Sequence, residues 1–100
     1  MFKPELIQAI PTNEYKVYLY FSDGKVRLYD AKSLIDKGGI FTQLKDLDIF
    51  INTCTIMNDT LAWDVAGNYN IYECIDICPD TLLTCPIVEN IETIEQKLFA

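Results

Sequence analysis

The chain contains no histidine. That removes the commonest general base at neutral pH and a principal metal ligand. A phosphate-binding glycine loop, a dinucleotide fingerprint and a Gly-x-Ser-x-Gly elbow are also missing. Positive charge is scarce: eight basic residues stand against fifteen acidic ones, for a formal net charge of −7. The few bases form no run, and phosphate binding needs a basic footprint, so direct nucleic-acid binding is not expected. No apolar stretch approaches the about 20 residues that span a bilayer. Met1-Phe2-Lys3-Pro4-Glu5 has no apolar core of the kind a signal peptide carries. A cytoplasmic, reducing location without a membrane partner is therefore the expectation.

Cys54, Cys74, Cys78 and Cys85 are expected to be free thiols in such a compartment. Zinc sites usually show two closely spaced ligand pairs. Here three residues separate Cys74 from Cys78 and six separate Cys78 from Cys85. No metal and no cofactor are expected, and the cysteines are read as small buried hydrophobes.

One hundred residues make one domain, and such a chain buries roughly 65% of its unfolded surface. Half the residues are hydrophobic, which marks a folded chain. Its organising stretch is Tyr15 to Asp30, two alternating runs around Asp23-Gly24. A two-residue Asp-Gly loop favours a type I′ hairpin. In that register Phe21 faces Val26, Tyr20 faces Arg27, Leu19 faces Leu28 and Tyr18 faces Tyr29. Val17, Leu19, Phe21, Val26 and Leu28 would form a core face, and Lys16, Tyr18, Tyr20, Arg27 and Tyr29 the opposite one. Tyrosine and arginine are enriched at interface hot spots, so Tyr18, Tyr20, Arg27 and Tyr29 are candidate partner-binding residues. The plain alternative is a half-exposed sheet face with ordinary cross-strand pairs.

Around this hairpin, Glu5–Ile10 reads as a first strand. Asp30 is expected to cap a helix over Ala31–Lys37 that turns Leu34 and Ile35 inward and ends near Gly38. Ile40–Lys45 suggests a second helical turn, with Phe41 and Leu44 on one face. Ile49–Met57 has strand character and pairs through an Asn58-Asp59 turn with Thr60–Asp64. That register sets Ile56 opposite Leu61 and Cys54 opposite Trp63, with Trp63 in the core. Tyr69–Cys74 is read as a sixth, edge-like strand, and Pro79 opens a last helical turn. In Ile87–Ala100, Ile87, Ile91, Ile94 and Leu98 recur at helical spacing. The expected architecture is α+β: antiparallel β-hairpins forming one sheet, short helices packed on one side, and a C-terminal amphipathic helix. Residues 1–86 form the domain and 87–100 a helical tail. The helix is read as docking on its own sheet, on a second copy of the chain or on another protein, and Ile91, Ile94 and Leu98 join the candidate partner-binding residues because amphipathic helices commonly lie in grooves.

Taken in order, Phe21-Ser22-Asp23-Gly24, Asp30, Phe41, Leu44, Phe50, Leu61-Ala62-Trp63 and Ile75-Asp76-Ile77-Cys78-Pro79-Asp80-Thr81-Leu82 form a longer pattern. It resembles a small bacterial family of unknown function, DUF2442, over roughly residues 5–83. The link from Val65 to Cys74 is longer than the family's, and the C-terminal helix lies outside it. The resemblance implies a compact α+β fold with antiparallel strands and no established catalytic residues. Some relatives carry a helix-turn-helix, and some sit beside a second small protein in arrangements like toxin–antitoxin pairs. A non-catalytic protein-interaction or regulatory domain, antitoxin-like in one form, is the leading functional reading. The alternatives are a self-associating structural module, and a small ligand-binding or enzymatic domain using Asp64 and Asp76. These two carboxylates have no obvious turn or capping role. The expected partner is a protein or a second copy of the chain.

Overall fold

The computed structural model describes residues 4–68, 70 and 74–88. The strands divide between two antiparallel three-stranded sheets, rather than forming the one sheet expected. The first contains β1 (Leu6–Pro11), β2 (Lys16–Phe21) and β3 (Val26–Asp30), in that order. The second contains β4 (Cys54–Met57), β5 (Thr60–Trp63) and β6 (Ile75–Asp76). Between the sheets in sequence lie α1 (Lys32–Ile35), a 3-10 helix (Gly39–Lys45) and α2 (Leu47–Thr53), and α3 (Pro79–Leu83) follows β6. All are too short to persist alone and depend on packing. The α+β class and the short helices are as the sequence implies.

The β2–β3 hairpin differs from expectation by one residue. Its partners are Lys16 with Asp30, Val17 with Tyr29, Tyr18 with Leu28, Leu19 with Arg27 and Tyr20 with Val26. The loop is Ser22-Asp23-Gly24. Gly24 N–H donates to the Phe21 carbonyl at 3.1 Å, and Phe21 N–H donates to the Lys25 carbonyl at 3.0 Å. Only Gly24 in this loop has positive φ, at 82°. This is a type I turn followed by a left-handed glycine, the usual three-residue hairpin loop. The Asp23 carboxylate accepts Lys25 N–H at 3.0 Å, and Ser22 exchanges bonds with Glu5 at the start of β1. Because side chains alternate, the extra loop residue turns β3 over relative to β2.

The second hairpin matches its expected register. Cys54 pairs with Trp63 and Ile56 with Leu61, and Asn58 and Asp59 both take positive φ, as a type I′ turn requires. The strand expected from Ile49, however, begins only at Cys54. Residues 47–53 are helical because the Asp46 carboxylate accepts Asp48 N–H at 3.0 Å and caps them. The helix sinks Phe50 completely while leaving Ile51 38% exposed. The helix expected over Ala31–Lys37 spans only Lys32–Ile35 and has Ala31, not Asp30, at its N-cap, although the Asp30 carboxylate does accept Lys32 N–H at 3.0 Å. The strand expected over Tyr69–Cys74 falls largely outside the described residues; the strand present is Ile75–Asp76, paired with Ala62 and Trp63.

The main core lies between the inner face of the first sheet, the second sheet and the helices. Val17, Leu19, Phe21 and Tyr29 meet Leu34, Ile35, Leu44, Phe50, Leu61, Trp63 and Leu82 there. Trp63 is fully buried, and its indole N–H donates to the Phe50 carbonyl at 3.1 Å. Tyr15 stands edge-on to Phe50 at 5.4 Å. Its hydroxyl donates to the Lys45 carbonyl, which fixes a residue held at φ 61°.

Candidate interaction surface

Beyond the core, the first sheet has a second apolar face. The observed registers place Ile10 beside Tyr18, Tyr18 beside Leu28, and Tyr20 beside Val26 on this outer side. Tyr18 and Val26 are buried here, in a cluster separate from the main core, and Ile10, Tyr20, Leu28 and Val88 pack against them. The sheet is therefore apolar on both sides, whereas a sheet with one solvated face alternates apolar and polar residues.

The free edge of β3 is also engaged. Leu28 N–H donates to the Pro86 carbonyl at 3.0 Å, and Val88 N–H donates to the Val26 carbonyl at 2.7 Å. Between these bonds Arg27 and Ile87 form an antiparallel bridge. The Arg27 guanidinium donates to the Cys85 carbonyl at 2.7 Å, just past the end of α3. A cation suits the exposed carbonyls at a helix C-terminus. Residues 86–88 thus add to the sheet edge as an extended segment. Ile87 was expected to begin a helix; its bridge to β3 makes this stretch extended instead.

The candidate residues from sequence do not share one surface. Tyr18 and Tyr20 stand on the outer face, with Tyr18 buried. Tyr29 points into the main core, where burial is the largest cause raising its phenol pKa above 10. Arg27 lies across from Leu19 and clasps the chain at Cys85. Ile91, Ile94 and Leu98 lie outside the described residues. Sequence reasoning assigned Val26 and Leu28 to the core face, and it missed Ile10 and Val88 as members of the outer cluster. The β-branched pair Ile87-Val88 directly after Pro86 was the available signal for an edge-pairing segment.

Residues 6–85 match the family model described as "Protein of unknown function (DUF2442)". The chain belongs to this family. No curated protein and no solved structure matches it. The matched span of this family member ends at Cys85, where the edge-pairing segment begins.

Three thiols of this DUF2442 protein, Cys54, Cys74 and Cys85, are poorly disposed for nucleophilic work. Burial pushes Cys54 up to about 12 from an ordinary 9.0. Cys85 is raised by burial, against a lowering by the Arg27 charge. Cys74 is raised by burial, then by the negative charges of Asp76 and Asp64. A raised pKa leaves little thiolate at neutral pH. No disulfide joins these cysteines; Cys85 is buried and Cys54 and Cys74 partly so, but Cys78, read from sequence as buried, is exposed.

A hollow of ≈ 310 Å³ is lined by Asn52, Thr53, Cys54, Thr55, Asp64 and Gly67. Asp64 is buried there and its N–H donates to the Thr53 carbonyl at 2.9 Å. Asp76 is exposed on β6 and does not line this hollow, so the two carboxylates singled out from sequence do not converge in it. Among the described residues, no helix is long and apolar enough to cross a membrane.

Cys54 carries a pH prediction. In the unfolded chain its thiol ionises near 9.0, whereas the folded protein holds the proton to about 12. The unfolded state releases its proton first, so the Cys54 contribution is complete below pH 9 and declines toward pH 12. The decline reaches about 1.4 kcal/mol per pH unit at most. Urea unfolding of the wild type and Cys54→Ala across this range should show the stability gap narrowing as pH rises. A constant gap would contradict the burial of this thiol.

Proposed function

We propose that this protein is a non-catalytic protein-interaction domain with a regulatory role, and that its contact surface is centred on the outer face and β3 edge of the first sheet. The observation that carries this reading is the separate apolar cluster around Tyr18 and Val26, on the side of the sheet that the main core does not use. Exposed apolar surface characteristically marks interaction sites, and the half-buried members of this cluster, Ile10, Tyr20 and Leu28, with the exposed Ile87 beside them, are what a partner would meet. The raised pKa values of Cys54, Cys74 and Cys85 agree with a non-catalytic role. An antitoxin-like form, in a bacterial cytoplasm, would use this surface to hold a second small protein.

A triple change of Tyr18, Tyr20 and Arg27 to alanine would also disturb buried packing and the clasp at Cys85. Tyr20→Ala and Ile87→Asp are better tests, since Tyr20 is only half-buried and Ile87 is 47% exposed. Full-length tagged chains carrying each change should lose a partner that the wild type retains from native lysate. Ile40→Asp, at an exposed residue of the 3-10 helix, should retain it. Equal capture by all four chains would remove this surface from consideration.

A further inference from the structure

Residues 31–45 run against the charge of the chain. They carry Lys32, Lys37 and Lys45 against the single acid Asp36, in a protein with a formal net charge of −7. The fold brings two of these lysines to one place. Lys32 opens α1 and Lys45 closes the 3-10 helix, and both line a hollow of ≈ 370 Å³ together with Tyr15, Ile35 and Asp36. We propose that this hollow binds a small carboxylate with an apolar body, an aryl or branched-chain acid carrying one negative charge.

Tyr15 and Ile35 supply the apolar surface. Ile35 is 6% exposed and belongs to the main core, and Tyr15 packs against that core. Lys32, Asp36 and Lys45 are exposed around them. An apolar lining with a few placed polar groups, in a volume of about 300–1,000 Å³, is the usual make-up of a small-molecule site. The hollow adjoins the main core and shares no residue with the outer cluster around Tyr18 and Val26. It therefore stands independently of the contact surface proposed above.

The wall is in place before any ligand arrives. Tyr15 keeps φ at 61°, which is unfavourable for a bulky L-residue. Backbone held in such a region clusters at ligand sites. Three contacts hold it. The Tyr15 carbonyl accepts Ala31 N–H at 2.9 Å, its hydroxyl donates to the Lys45 carbonyl, and its ring stands edge-on to Phe50. Tyr15 thus ties the start of α1 to the end of the 3-10 helix, the two places that carry the lysines. A site fixed in this way loses less freedom on binding.

The charges select the ligand. Two ammonium groups and one carboxylate leave one positive charge, which suits a monoanion. Among the described residues neither Lys32 nor Lys45 is engaged in an ion pair, so each can donate to a carboxylate oxygen. A neutral analogue offers no charge to them, and a second negative charge would meet Asp36.

Amide chemical shifts of the isotope-labelled full chain test the site. Phenylacetate and isovalerate should move the Tyr15, Lys32 and Lys45 resonances saturably, with a Kd of about 1 mM or tighter. Phenylacetamide, the same body without the charge, should bind about fivefold more weakly or worse, and added salt should narrow the difference. Lys32→Gln and Lys45→Gln should each weaken phenylacetate roughly two- to fivefold, and Asp36→Asn should strengthen it by a similar factor. Lys25→Gln, beside the hairpin loop, should leave it unchanged. No saturation by about 10 mM of either acid overturns the proposal. Equal binding of phenylacetamide, unaltered affinity in both lysine variants, or shifts centred on Tyr20 and Leu28 instead would each overturn it as well.

Discussion

Replacing Trp63 with alanine should cost about 3–5 kcal/mol of folding stability, the range for emptying a fully buried aromatic site. Trp63 is the largest fully buried side chain and lies 5.5 Å, centroid to centroid, from the Phe50 ring. It joins three parts of the molecule. Its strand pairs with β4 and β6, its ring packs on α2, and its indole N–H satisfies a carbonyl of that helix. Domains of this size have only about 5–15 kcal/mol in total, so a large share of the folded population's margin would go. Trp63→Phe separates the causes. It keeps most of the packing and loses the hydrogen bond, for about 1 kcal/mol plus a small packing deficit. Urea unfolding followed by circular dichroism measures both. A Trp63→Ala chain within 1 kcal/mol of the wild type, by the same scale, would place the indole outside the core.

Deleting Lys25 should be at least as damaging, at about 3 kcal/mol or more. If the Ser22-Asp23-Gly24 loop is kept, β3 shifts by one residue and Tyr18 comes opposite Tyr29, the register that the sequence first suggests. Every side chain of β3 then changes faces. Tyr29 leaves the main core, Val26 leaves the outer cluster, and Leu28 loses its place beside Tyr18. The alternative is to keep the native register and close the hairpin through Ser22-Asp23 alone. That route disturbs Ser22, whose N–H and hydroxyl oxygen each bond to the Glu5 backbone at 2.8 Å. An unchanged urea midpoint would mean that the loop does not set the register.

That loop also shows where sequence reading succeeds and where it stops. Asn58-Asp59 fixes its hairpin because the two strands beside it can pair in only one register that buries Leu61 and Trp63. Asp23-Gly24 is compatible with two loops, and alternation in β3 does not choose between them. Val26 and Leu28 are apolar, but so is the body of Tyr29, and either set can face a core. The choice depends on the outer cluster, which a one-sided view of the sheet does not anticipate. Residues 47–53 failed for a related reason. Ile49, Phe50 and Ile51 favour a strand by propensity, yet capping by Asp46 and the single deep site for Phe50 favour a helix. The binding surface was the least legible part, since Arg27 and Tyr29 were grouped with Tyr18 and Tyr20 solely through the assumed register.

The clasp between Arg27 and Cys85 joins residues 58 apart in sequence. Closing so long a loop is entropically slow, and non-local strand pairings are among the last contacts a small domain makes. During synthesis the β2–β3 hairpin is complete long before Pro86 has left the ribosome. For that interval β3 presents unpaired N–H and C=O groups of Val26 and Leu28 beside an apolar face. An open edge of this kind is where nascent chains stick to one another. The short stretch from Cys85 to Val88 therefore sets when this chain stops being a hazard to its neighbours, and a mutation that weakens it should lower soluble yield before it lowers the melting temperature of the protein that does fold.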